Sequence, residues 1–300
     1  MAWRIILITK PCKLSFKNNQ LVYQPQDEGE LQVPLEDISA IVVDTPQINI
    51  SGYLLSEIAN NKIAVLTTDN SHTPNGIFLP YMQYYKNAET AFLQKDWSEP
   101  FKKRAWQKIV QQKIKNQALA IKNTNTNLYK YLINLSNEVL SGDTSNIEGR
   151  AAKEYWTEYY KGFIRHSDTK VNSALNYAYM ITRSLLAKNI SAIGFIGCFG
   201  LHHCNTYNAF NLADDLIEPF RGIIDYRVRK LYSEDTKDNS LTVEEKQKLI
   251  EIMFYEVDYG GQNYNMMYAT QLIVENLLNI TKSGEAKNII LPTFPEDKLF

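Results

Sequence analysis

Residues 100–123, PFKKRAWQKIVQQKIKNQALAIKN, carry apolar side chains at spacings of three and four, which is the period of one face of an α-helix. The same period continues through residues 126–142 and 148–163, and it begins near residue 86. The final segment, IILPTFPEDKLF (289–300), is broken by proline and predicts an extended tail. The sequence therefore predicts that residues 86–300 form a larger, all-α C-terminal domain.

The chain before residue 82 has a different pattern. Short segments rich in Ile, Val, Leu and Tyr alternate with polar or proline-containing breaks, as β-strands do. The predicted strands are WRIILIT (3–9), KLSFKN (13–18), LVYQP (21–25), LQVPL (31–35), ISAIVVD (38–44) and KIAVLTTD (62–69). We expect a helix at residues 51–61 with Ser51 as its N-cap, and a loop at residues 70–76. The predicted fold class is α+β, with a small β-rich N-terminal domain (residues 1–82), a linker near residues 70–86, and the helical domain.

The composition excludes some functional classes. The 300-residue chain has a net charge of −1, so a polyanion such as DNA would have to be held by local basic patches. Its three cysteines form no paired framework, which favours a reducing cytoplasm over secretion. No apolar run approaches the roughly 18 residues of a membrane span. We expect a cytoplasmic protein with no membrane partner.

The segment GLHHCNTYNAFNLADDLIEPFRGIID, residues 200–225, combines two histidines with several acids. On a helix from Asn208 to Asp225, polar side chains gather within about 60° of Glu218 when each residue turns the helix by about 100°. These side chains are Asn211, Asp214, Asp215, Arg221 and Asp225. A solvated acidic face and a metal-binding face both fit this pattern. Pro219, which removes a helical amide and tends to kink the axis, is unusual for a plain surface helix.

Glu148, in NIEGRAAKEYWTEYY (146–160), lies on the apolar face of its predicted helix. The residues that share this face are Ala151, Ala152, Tyr155, Trp156 and Tyr159. An ionised carboxylate on such a face is costly to bury unless it is paired or binds a cation. The alternatives are a carboxylate stabilised by the helix dipole, or one paired with a neighbour such as Arg150.

The segment CFGLHHC (198–204) offers four zinc-ligand types: Cys198, His202, His203 and Cys204. Adjacent residues of an extended segment point to opposite faces, so these side chains are not expected to converge on one zinc ion. A single histidine that meets two carboxylates from elsewhere is an oxygen-rich ligand set, and it suits Mg²⁺ or Mn²⁺.

The helix predicted at residues 100–123 is also basic. Its positive residues, opposed only by Glu99, are Lys102, Lys103, Arg104, Lys108, Lys113, Lys115 and Lys122. Arg104, Lys108 and Lys115 are the candidate DNA-binding residues, because their spacing forms one stripe. The core-facing residues would be Trp106, Ile109, Val110 and Ile114. The alternative is an ordinary solvated helix surface.

Taken in order, these segments resemble the "Cas one" family, the spacer-acquisition integrases of CRISPR systems. The resemblance covers almost the whole chain, and the short length and the opening are most similar to the type II subtype, which accompanies a single large effector nuclease. The segments that carry it are MAWRIILITKPCKLSFKNNQLVY (1–23), SGYLLSEIANNKIAVLTTD (51–69), EGRAAKEYW (148–156), VNSALNYAYMITRSLL (171–186) and a His-containing turn before DLIEPFR (215–221).

The resemblance implies a catalytic metal site, carried over residue by residue. Glu148, His203 and Glu218 would be both the catalytic residues and the metal ligands, and Glu218 stands where many members have Asp. His202 is a neighbouring alternative to His203, although the spacing favours His203. Asp215 and Arg221 would be auxiliary residues, and the cofactor would be Mg²⁺ or Mn²⁺.

The implied function is a metal-dependent DNA integrase and endonuclease, which joins the 3′-hydroxyl ends of short foreign DNA fragments to the CRISPR repeat by transesterification. The implied partners are double-stranded DNA (fragment and repeat), a second copy of the chain bound through the β-rich domain, and the small "Cas two" protein bridging two dimers. Other type II adaptation proteins are further candidates. Two other functions stay open, a metal-dependent DNA repair nuclease that uses water as nucleophile and a non-catalytic DNA-binding scaffold.

Overall fold

The structure, a computed structural model, describes residues 2–26, 28–69, 74–81, 85–160 and 162–295. Most strands precede residue 79 and most helices follow residue 86, which confirms the predicted α+β class. Much of the predicted linker (70–73 and 82–84) and the end of the predicted tail (296–300) lie outside the described residues. Within the described ranges, no helix has both the length and the hydropathy that a membrane span needs.

The N-terminal part contains two four-stranded sheets, with strand orders β1-β5-β7-β8 and β4-β3-β2-β6. Strands β1, β5 and β7 run parallel, and β8 pairs antiparallel with β7. The predicted N-cap is confirmed, because the Ser51 hydroxyl accepts a hydrogen bond from Leu54 N at 3.2 Å. The elements are β1 (Arg4–Ile8), β2 (Cys12–Lys17), β3 (Gln20–Pro25), β4 (Leu31–Pro34), β5 (Ile38–Val43), β6 (Ile48–Ile50), α1 (Gly52–Asn60), β7 (Ala64–Thr68) and β8 (Pro74–Phe78).

Strand β5 shows how the strands meet the helices. All six of its residues are buried, because both faces of its sheet are covered. Ala40 and Val42 pack into the core formed by the helices, whereas Ile41 and Val43 pack into the core formed with α1 and the second sheet. The first sheet therefore lies between two hydrophobic cores and contributes side chains to both. The domain boundary near residues 82–86 stays a prediction.

The loop predicted at residues 70–76 is wrong where the structure describes it. Pro74 and Gly76 belong to β8, which pairs antiparallel with β7. The predicted tail is extended but packed: Ile289 and Phe294 are buried, and Thr293 bridges to Asp258. In both places backbone pairing with another segment outweighs the local proline and glycine signals.

The C-terminal part is mainly helical. Its elements are α2 (Asn87–Lys95), α3 (Glu99–Ile121), α4 (Thr126–Glu138), α5 (Ile147–Tyr159), α6 (Lys170–Ile193), α7 (Asn211–Leu231), α8 (Val243–Glu251), β9 (Glu256–Asp258), β10 (Asn263–Asn265) and α9 (Met266–Ser283). The short strands β9 and β10 pair antiparallel.

The backbones of helices α3 and α7 lie very close together where the two helices cross. A Cβ added at Gly222 would lie 2.7 Å from the backbone of Asn116 and of Gln117, so only glycine permits this approach. Asn116 is fully buried, and its Nδ2 donates to the carbonyl oxygens of Pro219 at 2.6 Å and Pro292 at 2.9 Å. Helix α7 continues through Pro219 without interruption. This crossing fixes which residues of α3 face the acidic helix.

Candidate functional site

The acidic face of α7 is buried. Asp215 and Asp225 have no solvent exposure, and Glu218 is 4% exposed. Helices α3 and α6 pack against α7 and cover its polar face. The interpretation of this row as a solvated surface is therefore wrong, and each buried acid needs a partner.

Asp225 has structural partners. Its carboxylate accepts hydrogen bonds from the hydroxyl groups of Tyr155, at 3.1 Å, and Tyr179, and its carbonyl oxygen accepts one from Tyr159 at 2.6 Å. Burial raises the pKa of Asp225 to about 6, although the two tyrosine hydroxyls oppose this shift. These contacts tie α5 and α6 to α7, so Asp225 organises the core.

Lys113 brings Glu148 and Glu218 together. Its Nζ lies 2.5 Å from Glu148 Oε1 and 2.5 Å from Glu218 Oε2, so the two carboxylate oxygens lie no farther apart than twice that distance. Lys113, one of the basic residues counted on the helix predicted at residues 100–123, is buried and does not belong to a solvated basic surface. Its burial could be predicted from the sequence, because Lys113 lies on the same apolar face of the helix as Trp106 and Val110.

Glu148 is positioned by the start of α5. Asn146 is the N-cap in a left-handed conformation (φ 51°), and its Oδ1 accepts from Gly149 N. Asp143 accepts hydrogen bonds from the amides of Ile147, at 2.9 Å, and Glu148, at 3.0 Å. The predicted alternative of a pair with Arg150 is not what the structure shows, because the partner is Lys113.

Glu218 is held in its ionised form. Burial opposes ionisation, but the charges of Arg221 and Lys113 outweigh it and lower the pKa of Glu218 to about 2. Arg221 Nε donates to Glu218 Oε1 at 2.8 Å. Glu218 Oε2 is buried and accepts no hydrogen bond of normal geometry from the described residues, so its contact with Lys113 is an ion pair without hydrogen-bond alignment.

Asp215 organises the loop that carries the histidines. Its carboxylate accepts from the amides of Leu201 (2.5 Å), His202 (3.1 Å) and His203 (3.1 Å). His203 Nδ1 also lies 2.7 Å from Asp215 Oδ1. A Cβ at Gly200 would lie 2.6 Å from Asp215 Oδ2, so the tight loop requires glycine there. With both oxygens engaged, Asp215 supports the loop and the ring instead of offering a free ligand atom.

The Asp215 contact fixes the orientation of the His203 ring. The hydrogen bond to Asp215, opposed by burial, raises the pKa of His203. With Nδ1 as the donor, the Nε2 lone pair is the one left for a ligand, as in carboxylate–histidine–metal arrangements. His202, by contrast, stacks on Trp106 with ring centroids 4.2 Å apart. The geometry therefore favours His203 over His202.

The donor set fits a divalent cation such as Mg²⁺ or Mn²⁺. Glu148 and Glu218 supply carboxylate oxygens that already converge on one cation, and Glu218 Oε2 is a buried acceptor with no aligned donor among the residues that the structure describes. Such oxygen-rich sets with one imidazole suit these ions. As the side chains stand, no three His, Cys, Asp or Glu residues in the described part of the chain are grouped closely enough to hold an ion. The ligand set Glu148, His203 and Glu218 stays a prediction.

The basic residues of α3 lie on another face. Arg104 and Lys108 are exposed and Lys115 is partly exposed, and none of the three makes an ion pair within the described ranges. At about 100° per residue they lie about 140–180° around the helix from Lys113. The predicted core residues Trp106, Ile109, Val110 and Ile114 are all buried, as expected. The DNA-binding role of the three basic residues stays a prediction.

Comparison with known sequences identifies similar proteins. A family model described as "CRISPR associated protein Cas1" matches residues 5–251. A protein of Neisseria meningitidis serogroup C (strain 8013), named CRISPR-associated endonuclease Cas1, is 38% identical over 294 residues, which cover 97% of this chain and 96% of that relative.

Comparison with solved structures identifies similar folds. A structure described as "Casposase bound to integration product" has a TM-score of 0.71 at 20% identity, covering 94% of this chain and 91% of that one. A chain of a Cas6-RT-Cas1–Cas2 complex has a TM-score of 0.74 at 16% identity, covering 96% of this chain and 36% of that one. At these identities the likeness establishes a shared fold.

Proposed function

This chain belongs to the Cas1 family of CRISPR-associated proteins, and on that premise we propose that it is a metal-dependent DNA integrase of CRISPR adaptation. It joins the 3′-hydroxyl ends of short foreign DNA fragments to the CRISPR repeat by transesterification. The observation that carries the proposal is the convergence of the Glu148 and Glu218 carboxylates on one buried cation, with the Asp215-oriented ring of His203 on the neighbouring loop. The likeness to a casposase structure described as bound to an integration product supports joining over simple cleavage.

Glu148, His203 and Glu218 are the residues that would hold Mg²⁺ or Mn²⁺. The ion would polarise the scissile phosphate, lower the pKa of the attacking hydroxyl and offset charge on the leaving oxygen. In the joining step, the fragment's 3′ oxygen forms a bond to the phosphorus at the end of the repeat, while the bond from that phosphorus to the 3′ oxygen of the flanking nucleotide in the target strand breaks. The number of phosphodiester bonds is unchanged, so no external energy source is required.

The protein's own residues prepare this step. Asp215 holds His203 with Nδ1 as a donor, which presents Nε2. Arg221 donates to Glu218 and keeps it ionised, and its guanidinium lies 4.6 Å from the centre of the Tyr179 ring. These two contacts fix the Arg221 guanidinium beside Glu218.

We further propose that the chain acts with partners. Double-stranded DNA is held by phosphate contacts, for which Arg104, Lys108 and Lys115 are the candidates on α3. Its fold is similar to that of a chain solved in a complex that includes Cas2, which supports Cas2 as a partner. We infer that a Cas2 dimer bridges two copies of a homodimer of this chain. The homodimer would form through the strands of residues 1–82. An assembly with other type II adaptation proteins fits the same arrangement.

An integration assay tests the proposed function. A labelled short duplex with free 3′-hydroxyl ends is incubated with a supercoiled plasmid that carries the repeat, with Mg²⁺ or Mn²⁺, with and without Cas2. Label joined to the plasmid is expected for wild type and for the matched control Glu154→Gln, an exposed glutamate of α5. Glu148→Gln should abolish joining while retaining DNA binding. Shortened strands without joined products would indicate a nuclease that uses water.

A further inference from the structure

The Lys113 ammonium lies where a divalent cation would contact the same two carboxylates. Both of its ion pairs, with Glu148 Oε1 and Glu218 Oε2, are 2.5 Å long. Metal–oxygen bonds to Mg²⁺ and larger divalent ions fall at roughly 2.0–2.6 Å. A divalent cation bound to these two oxygens and the ammonium group cannot occupy the same position at the same time.

The turn of α3 that carries Lys113 is fixed by its packing against α7. The Lys113 side chain is 10% exposed. Asn116, one turn later, binds the carbonyl oxygen of Pro219 at 2.6 Å, and the Gly222 backbone contacts the same turn of α3. The lysine stem therefore has little freedom to reach solvent, and the ammonium group belongs to this cluster in the resting protein.

The charges of the cluster balance. Glu148 and Glu218 contribute two negative charges, and Lys113 and Arg221 contribute two positive ones. Removal of one partner from a buried ion cluster leaves an uncompensated charge, which is strongly unfavourable. Lys113 thus offsets the repulsion between two nearby carboxylates and keeps them converged.

We propose that Lys113 is a positioning residue that holds Glu148 and Glu218 converged in the resting protein and competes with the divalent cation for their oxygens. Metal binding then requires the ammonium group to leave at least one of the two carboxylates. The affinity for the metal ion is therefore lowered by the free energy needed to break the ion pair between Lys113 and that carboxylate. The proposal rests on the metal-binding part of the proposed function and concerns a residue outside the predicted ligand set.

The test measures Mn²⁺ binding to the intact chain without DNA, by electron paramagnetic resonance of free Mn²⁺. The neutral variants Lys113→Met and Lys113→Gln should bind Mn²⁺ about tenfold more tightly than wild type, because no internal cation has to be displaced. The charge-retaining Lys113→Arg should bind no more tightly than wild type. Lys130→Met, on the exposed surface of α4, is the matched control and should equal wild type.

Thermal melting gives a second readout that is independent of activity. Without metal, both neutral variants should melt at a lower temperature than wild type, because two buried carboxylates lose their shared partner. Saturating Mn²⁺ should raise their Tm by more than it raises that of wild type, since ion binding to the folded state stabilises it more as the affinity increases.

Two outcomes would overturn the inference, and they are distinguishable. If wild type binds Mn²⁺ in a manner that Glu218→Gln removes, but the neutral variants bind it equally or more weakly, Lys113 does not compete and only this inference fails. If wild type shows no Mn²⁺ binding that Glu218→Gln removes, the proposed metal site fails, and the inference falls with it.

Discussion

His203 Nδ1 lies 2.7 Å from Asp215 Oδ1, and the same carboxylate accepts the backbone amide of His203 at 3.1 Å. The ring and the main chain of one residue are thus held by a single buried acid from α7. This arrangement turns the loop before α7 into a rigid support, which explains why an acid one turn before Glu218 is fully buried.

Asp215→Asn should loosen this loop. The amide can accept fewer hydrogen bonds from Leu201, His202 and His203, so we expect a decrease of about 1–3 kcal/mol in the free energy of unfolding. Strand joining should fall more than DNA binding does. Limited proteolysis should show new cleavage within residues 196–210, with Asp168→Asn, an exposed acid, as the control. An unchanged proteolysis pattern together with normal joining would contradict this role.

Gly222→Ala should separate α3 from α7. Its Cβ would meet the backbone of Asn116 and Gln117 at 2.7 Å, where no flexible side chain can move aside. We expect a destabilisation of about 1–3 kcal/mol in urea denaturation, as for overpacked cores. Gly52→Ala is the matched control, because a Cβ there meets nothing within 4 Å. Equal stability of the two variants would mean that the crossing is not as close as described.

Stability should depend on pH through Lys188. Its Nζ donates to Ser39 Oγ at 2.7 Å, which joins α6 to β5, and burial lowers its pKa from 10.5 to about 8. Between these pH values the unfolded chain binds more protons than the folded one, so the free energy of unfolding rises with pH. The slope is at most about 1.4 kcal/mol per pH unit.

The comparison with Lys188→Met isolates this effect. Denaturation at pH 8 and at pH 10 should show wild type gaining stability relative to the variant as the pH increases. Because part of the Lys188 side chain still contacts solvent, the slope should fall below the limit for one proton. A difference in stability that stays constant with pH would show that the pKa of Lys188 is not lowered.

Arg104, Lys108 and Lys115 on α3 should bind DNA phosphates. Their joint replacement by alanine should weaken DNA binding equally for all sequences and reduce the salt dependence of log K by roughly 0.9 for each phosphate that is no longer neutralised. Fluorescence anisotropy at several salt concentrations measures this, with Lys130, Lys153 and Lys237→Ala as a charge-matched control on exposed positions. Identical salt slopes for the two triple variants would place the DNA path on another face.

The parts of the fold that could be predicted from the sequence depend on local patterns. Strand alternation, helical periodicity and the Ser51 cap are properties of neighbouring residues, and the structure bears them out. The loop expected at Pro74 and Gly76 is instead a strand, because its stability comes from pairing with β7. Periodicity also placed Glu148 on the apolar face of α5, where the structure has it.

The site could be predicted only in part. Glu148, His203 and Glu218 are implied by family resemblance, but their contacts depend on how distant segments meet. The burial of Lys113 is indicated by its spacing from Trp106 and Val110, but its two ion pairs could not be predicted because the partners lie on α5 and α7. The burial of Asp215 and Asp225 could not be predicted either, because a helical projection does not show which distant segments pack on the polar face of α7.

The position of Mn²⁺ in crystals of the protein, located by anomalous scattering, tests the proposed metal site most directly. We expect one strong peak bonded to Glu148, His203 Nε2 and Glu218 at roughly 2.0–2.6 Å, with the Lys113 ammonium moved away from at least one carboxylate. A peak bonded to other residues would contradict it. So would a saturated crystal in which Lys113 still bridges Glu148 and Glu218 and no ion is bound between them.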